Sequence, residues 1–321
     1  MTRENTRESG RQAGGLPKFV PDIESGVTLV AAVSGGPDSV AMLHMFAGAR
    51  HTVVAAHYNH GLRPAADDDE VFVRGLCEEM GVRFVAGRGD VAGEAARRKW
   101  GIEETAREMR YAFLERARAE TGMDRIATAH TADDNAETVL LNLTRGAGLP
   151  GLCGIPYRRG HIVRPLLRFS RIEVMRYLSE RDIPYREDES NRDTSYRRNF
   201  IRHEVIPALR QVNPALTGAV NRLTELLGGD EAYLSSLALE EYRQYGESNR
   251  FSAKRLAGLP RPVASRVCRL LFSEVSPYPP ERLHVEAMLD IAAGGNGRRR
   301  DLSGKITVEK KRNHVIIYRK T

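Results

Sequence analysis

Apolar positions along the chain fall into short, nearly continuous runs separated by longer stretches with helical spacing. Val27, Leu29, Val30 and Val33 form the first run, the pattern of a strand covered on both faces in a parallel sheet. Comparable runs follow at residues 53–56, 82–86, 125–129 and 162–164. Helical spacing is predicted between them. It occupies a stretch starting near Ser39, residues 67–80, residues 92–121 with an interruption at Gly101, a stretch capped by Thr131 or Asp133 and running through Val139, Leu140 and Leu143, and residues 170–181. Strand and helix thus alternate, which predicts an α/β domain with right-handed crossovers.

Pro214 marks a change of pattern. Helices are expected at residues 215–244, 262–275 and 281–293, followed by a hairpin in which Ile306, Val308, Val315, Ile317 and Tyr318 alternate around residues 310–313. The expected organisation is a disordered tail at residues 1–17, a catalytic α/β domain at 18–212 and a smaller, mostly helical domain at 213–321.

Composition narrows the function classes. The 321 residues carry 49 Lys plus Arg against 42 Asp plus Glu, a net charge of +7, and the arginines cluster, which favours a polyanionic partner such as nucleic acid. Cys77, Cys153 and Cys268 are far apart, so neither a disulfide framework nor a structural zinc site is indicated, and a reducing cytoplasm fits. No apolar run approaches the roughly 20 residues that span a bilayer, and the first residues lack a signal-peptide core. No membrane association is expected.

The chemistry concentrates where strands end. After the first strand comes Ser34-Gly35-Gly36-Pro37-Asp38-Ser39: the glycines let backbone N–H groups approach an anion, the two hydroxyls add donors, and a helix points its positive end at the same place. A pyrophosphate would fit there. The loop has neither the Lys of a Walker loop nor a Gly-x-Gly-x-x-Gly fingerprint. Asp38 would repel phosphates unless a divalent cation lay between, which makes Mg²⁺ the inferred metal and Asp38 its ligand. The simpler reading is a glycine turn capping a helix.

The second strand ends in His57-Tyr58-Asn59-His60-Gly61-Leu62-Arg63-Pro64, where His57 and Asn59 can contact a nucleotide or merely satisfy their own loop. Glu104, Arg107 and Arg110 share a helical face, either a solvated ion-paired surface or a phosphate contact. Asp134 and Glu137, three residues apart, can hold an ammonium group or a metal, whereas Asp133 reads as a complement to the helix dipole. The Gly-rich residues 145–154 read as an active-site loop, and the polar residues 187–196 as another. Arg197, Arg198 and Arg202 then open a helix where cations oppose the dipole and so call for an anionic ligand. Arg298, Arg299, Arg300, Lys305, Lys310, Lys311, Arg312, Arg319 and Lys320 form a basic tail on which a polyanion can dock.

The 34–39 loop resembles the pyrophosphate loop of the N-type ATP pyrophosphatases, which cleave ATP between its α and β phosphates to activate a carbonyl. The 57–64 run, the run 130–138, Arg145-Gly146-Ala147-Gly148-Leu149, Arg164-Pro165-Leu166-Leu167 and residues 187–203 are similar to those of the branch that joins lysine to a tRNA. The resemblance is specific over about residues 27–207. It implies an adenine nucleotide α-hydrolase-like, Rossmann-like parallel-sheet domain followed by the smaller helical domain ending in a β-hairpin. It also implies an ATP-dependent ligase that adenylates the wobble cytidine of an isoleucine tRNA with a CAU anticodon and lets L-lysine displace AMP.

Carried onto this sequence, the resemblance implies ATP binding by Ser34, Gly35, Gly36, Pro37, Asp38, Ser39, His57, Asn59 and Arg110. It implies lysine binding by Asp134 and Glu137, catalysis by Asp38, Asp134, Glu137 and Arg202, and tRNA contacts by Arg198, Arg299, Arg300, Lys310, Lys311 and Arg312. A homodimer is one candidate assembly. Rival readings are a tRNA thiolase of the same superfamily, disfavoured by the missing Cys-x-x-Cys, a nucleotide-binding RNA module without turnover, and a small-molecule amidase or synthetase.

Overall fold

The computed structural model describes residues 23–24, 26–49, 51–62, 66–186 and 197–320. The expected tail at 1–17, Arg63 and Pro64 of the second loop, and the polar segment 187–196 lie outside the described residues. Contacts divide the chain into two units, one holding the residues up to Gly146 together with Gly154–Asn221, the other Ala147–Cys153 with Arg222–Thr321.

In the first unit the elements run β1 (Leu29–Ala32), α1 (Pro37–Gly48), β2 (Val53–Asn59), α2 (Ala66–Glu79), β3 (Arg83–Arg88), α3 (Val91–Arg98), α4 (Ile102–Thr121), β4 (Arg125–Ala127) and α5 (Ala132–Thr144). After α6 (Leu149–Leu152), which belongs to the other unit, come β5 (Arg158–Arg159), β6 (Ile162–Val163), α7 (Arg171–Ser179), α8 (Arg197–Phe200), α9 (Ile206–Val212) and the start of α10 (Leu216–Tyr245). The sheet order is β3-β2-β1-β4-β6-β5. All pairs are parallel except β5 with β6. An edge strand made of two arginines has no apolar pattern to announce it.

Burial explains the apolar runs. Leu29, Val30 and Ala31 are fully buried, with Leu29 and Ala31 facing Met42, Leu43 and Phe46 of α1 and Val30 facing Phe113 and Leu114 of α4. Helices therefore cover both faces of the sheet. The chain leaves β1 toward β2 and β3 on one side, then returns to place β4 on the other side of β1. That reversal lies between β1 and β4, and ligands of open α/β sheets bind at the carboxyl ends of the strands flanking such a point. The 34–39 loop and the start of α5 are the two segments that emerge there.

Two local expectations are corrected. α1 starts at Pro37 rather than near Ser39, because proline suits the first helical position, where its missing N–H is not needed. Residues 145–154 contain the short helix α6, with Gly148 before it and Pro150 in its first turn. The interruption at Gly101 is as expected, separating α3 from α4.

The second unit completes α10 and adds β7 (Gly246–Glu247), β8 (Arg250–Ser252), α11 (Ala253–Gly258), α12 (Arg261–Ser273), α13 (Arg282–Ala293), β9 (Arg299–Leu302), β10 (Ile306–Lys311) and β11 (His314–Arg319). The expected hairpin forms, but as the centre of a five-stranded antiparallel sheet of order β7-β8-β11-β10-β9. Its turn places Arg312 and Asn313 at positive φ, 47° and 63°, as two-residue hairpin loops require. Val308, Val315, Ile317 and Phe251 face α11, α12 and α13 in a buried core. Among the described residues no helix is long and apolar enough to cross a membrane.

Candidate functional site

The 34–39 loop is closed by its own side chains. Ser39 Oγ accepts from Ser34 N at 3.1 Å and donates to the Gly36 carbonyl at 2.9 Å, while Ser34 Oγ lies 3.2 Å from Ser39 Oγ. Gly35 sits at φ +92°, and a Cβ there would lie 3.4 to 3.5 Å from Val73 and Phe72. This turn needs a glycine at 35. Arg186 N donates to the Gly35 carbonyl at 2.9 Å, bracing the loop from the far end of the α7 segment. In the first turn of α1 the N–H groups of Asp38 and Ser39 have no acceptor within the helix, and the helix dipole adds to their pull on an anion.

Asp38 lies at the mouth of this cradle. Arg171 donates from Nη1 to its Oδ2, while Oδ1 is buried and has no hydrogen-bond partner. Burial pushes the Asp38 carboxyl up. Arg171 and Arg202 pull it down, Asp134 and Asp133 push it up again, and the result is about 6. The same Arg171 donates from its backbone N to Asp133, the neighbour of Asp134, and so ties the loop to the start of α5.

Asp134 and Glu137 come from the first turns of α5. The helix begins there because Thr131 and Asp134 form a reciprocal cap, with Asp134 Oδ2 accepting from Thr131 N at 2.8 Å and from Thr131 Oγ1 at 3.0 Å. Glu137 is only 1% exposed. Such a carboxylate needs compensation, and α8 with the turn after it supplies two arginines. Arg198 donates from Nε to Glu137 Oε2 and from Nη2 to Asp134 Oδ1, both at 2.9 Å. Arg202 donates from Nε to Glu137 Oε1 at 2.5 Å and from Nη2 to Glu137 Oε2 at 3.0 Å. Its helix is locally widened: residues Ile201–Val205 form a π-helical turn, with Ile206 N bonded to the Ile201 carbonyl.

Asp133, on the neighbouring position of α5, accepts from Arg171 N at 2.7 Å and from Arg210 Nη2 at 2.7 Å. α5, α7 and α9 are thereby joined at one carboxylate. His130, at the end of β4, has its pKa lowered by burial against a raising influence from Asp134, and its Nδ1 lies 3.1 Å from Thr128 Oγ1.

Other expected ligands lie nearby with their own attachments. His57 is buried and donates from Nδ1 to the Val33 carbonyl at 2.9 Å, just before the loop, and burial lowers its pKa. Asn59 donates to the Ala66 carbonyl and to Asp67, and accepts from Gly61 N. Both shape the loop bases. Arg110 lies close enough to His60 to help burial hold the imidazole neutral down to about 4, and Arg110 Nε is buried without a hydrogen-bond partner. Arg107 and Arg110 both pack on the Tyr111 ring, at 5.0 and 5.5 Å.

A family model described as a PP-loop domain matches residues 13–209. The chain belongs to the PP-loop family. The 34–39 segment lies within the matched residues and is called the PP-loop below. The chain is 40% identical over 252 residues to a tRNA(Ile)-lysidine synthase of Porphyromonas gingivalis, covering 78% of this chain and 54% of that protein. It is 44% identical over 218 residues to a tRNA(Ile)-lysidine synthase of Chlorobaculum tepidum, covering 66% of each, and 39% identical over 287 residues to one from Thermus thermophilus, covering 88% of this chain and 55% of that protein. The match thus spans between half and two thirds of these curated relatives. Among solved structures, the U34-tRNA thiolase of Methanococcus maripaludis shares the fold, with a TM-score of 0.53, 19% identity and coverage of 66% of this chain and 76% of the other.

The PP-loop unit therefore brings Ser34 through Ser39, Asp134, Glu137, Arg198 and Arg202 into one neighbourhood. Arg171 was missed in the sequence. Its signal was a cation in the first turn of a helix, against the dipole, the same signal that marked Arg198. Arg299, Arg300, Lys311 and Arg312 are exposed, whereas Lys310 donates from Nζ to the carbonyls of Ala292 and Gly294 at 2.8 and 2.6 Å. Its charge caps the end of α13.

Proposed function

We propose that this chain carries out ATP-dependent ligation of L-lysine to the wobble cytidine of an isoleucine tRNA with a CAU anticodon. The reading is supported by one juxtaposition above all: a phosphate cradle at the β1 end and a buried acidic pair at the β4 end, joined through Arg171, whose side chain bonds Asp38 and whose backbone N–H bonds Asp133 beside Asp134. In the first step the cytosine carbonyl oxygen attacks the α phosphorus of ATP and pyrophosphate leaves. The 34–39 backbone and the N-terminus of α1 offset the charge on that leaving group. In the second step the lysine ε-amine attacks the activated carbon, loses a proton and expels AMP.

Asp134 and Glu137 are the groups suited to bind and deprotonate that ammonium, and Arg202 and Arg110 are suited to phosphate charge. Asp38 fits a divalent cation, because one of its oxygens is buried and unpartnered. No group of three His, Cys, Asp or Glu side chains among the described residues is placed to hold a metal, so phosphate oxygens would complete the coordination. Bound Mg²⁺ would neutralise the separating phosphates. Arg299, Arg300, Lys311 and Arg312 are proposed tRNA contacts, and a cytoplasmic location fits this substrate.

The test is incorporation of labelled lysine into an unmodified isoleucine tRNA transcript with ATP and Mg²⁺, beside a methionine tRNA with the same anticodon. Label on the isoleucine tRNA alone, with AMP and pyrophosphate formed, is expected. ATP cleavage without lysine transfer would refute the choice of nucleophile.

A further inference from the structure

The acidic pair that the proposed reaction assigns to lysine already has cationic partners. Asp134 and Glu137 carry two negative charges, and Arg198 and Arg202 bring two positive ones through the hydrogen bonds described above. An incoming ammonium group would compete with two guanidinium groups for the same oxygens. The layering sharpens the point. The Glu137 side chain is 2% exposed, whereas those of Arg198 and Arg202 are 39% and 31% exposed, so the arginines lie on the solvent side of the carboxylates.

The two arginines are held differently. Arg202 grips Glu137 with two nitrogens and reaches Asp134 at 3.4 Å. Arg198 makes one bond to each carboxylate and so bridges the pair. It is also the more exposed of the two. Bridging hydrogen bonds to two anions are strong while nothing competes, but an anionic ligand close by would offer the guanidinium an alternative. The PP-loop is such a place, since Arg171 bonds Asp38 at its mouth through its side chain and Asp133, the neighbour of Asp134, through its backbone N–H.

We infer that Arg198 is a positioning residue that keeps the Asp134–Glu137 pair closed to lysine until the triphosphate of a bound nucleotide draws the arginines off it, making amine binding conditional on nucleotide binding. This rests on the lysine-ligation reading and adds an order to it. The arrangement would prevent lysine from occupying the site ahead of the nucleotide. If the arginines merely neutralised buried carboxylates, lysine would bind equally well with or without nucleotide.

Equilibrium dialysis of labelled lysine against the full chain tests this, with Mg²⁺ and with or without α,β-methylene-ATP, which cannot release pyrophosphate. In the wild type the analogue is expected to tighten lysine binding at least tenfold. Arg198→Gln is expected to bind lysine at least tenfold more tightly than wild type without the analogue, and to gain less than twofold on its addition. Arg198→Lys keeps the charge but offers one nitrogen on a shorter side chain in place of a two-pronged guanidinium, so it should fall between the two and guard against misfolding of the glutamine variant. Equal lysine affinity with and without the analogue in the wild type, or unchanged coupling in both variants, would overturn the inference while leaving the ligation reading intact. Absence of lysine binding under every condition would overturn both.

Discussion

The PP-loop and the cluster around Glu137 serve one neighbourhood but are built in opposite ways. The side-chain hydrogen bonds among Ser34, Gly36 and Ser39 that close the loop link residues five or fewer apart, and the result is an open cradle of donors. The bonds that shape the cluster link residues 61 to 68 apart, and the result is a set of charges closed on one another. The difference teaches that a phosphate site can be prepared by local backbone geometry, whereas a buried carboxylate pair cannot stand alone. It must be neutralised from elsewhere in the chain.

The largest expected effect separates the two regions by chemistry. Glu137→Gln keeps the shape and removes a charge, so lysine transfer in single turnover should fall by about 10³-fold, with pyrophosphate release from ATP far less affected. Equal loss of both steps would show that loop and cluster work as one unit. Next comes Arg171→Ala, which strips Asp38 of its only described hydrogen-bonded cation. Loss of a charged hydrogen bond is worth roughly ten- to hundredfold, expected here in the KM for ATP with the KM for lysine unchanged. A matching rise in both constants would break the comparison.

A smaller effect tests how locally the loop is specified. Gly35→Ala forces a β-carbon into the left-handed region and should cost about 1–2 kcal/mol in urea unfolding, with weaker ATP binding. Gly36, at φ −71°, should tolerate alanine with a loss of less than about 0.5 kcal/mol. Similar losses at both positions would mean that the turn is not set by the conformation of Gly35.

The gentlest probe is pH. Burial depresses the pKa of His130 below its ordinary 6.5. Its neutral form therefore contributes stability above pH 6.5, which is lost on acidification toward the lowered native value at no more than about 1.4 kcal/mol per pH unit. His130→Asn should flatten that part of the stability profile. An unchanged slope would remove His130 from the account of the cluster.

What was legible in the sequence follows the same division. β1, the glycine turn and α1 could be read because strand burial, turn chemistry and helix start are all encoded within a dozen residues. The acidic pair was legible too, since three-residue spacing on a helix puts Asp134 and Glu137 on one side. Their partners were only half legible: cations opening a helix at Arg198 demanded an anion, but nothing local said that Glu137 would provide it. Arg171 carried the same signal and went unread. In the second unit β9 is Arg299–Leu302, nearly all polar, and β7 has two residues, so neither offers the alternation that betrays a strand. Lys310 shows the limit of counting charges, because a lysine that caps a helix looks the same in sequence as one that meets a phosphate.

The π-helical turn at Ile201–Val205 makes chain length, rather than side-chain identity, the sensitive variable in this stretch. Upstream of its end Arg198 and Arg202 reach Glu137; downstream of it Arg210 reaches Asp133. Removing one residue between Arg202 and Arg210 would restore an ordinary helical ladder, but would turn one side against the other by about 100°. A chain shortened there by a single residue can keep the grip on Glu137 or the grip on Asp133, not both. Deletions in this segment should therefore be far worse tolerated than substitutions at its exposed positions, such as Glu204.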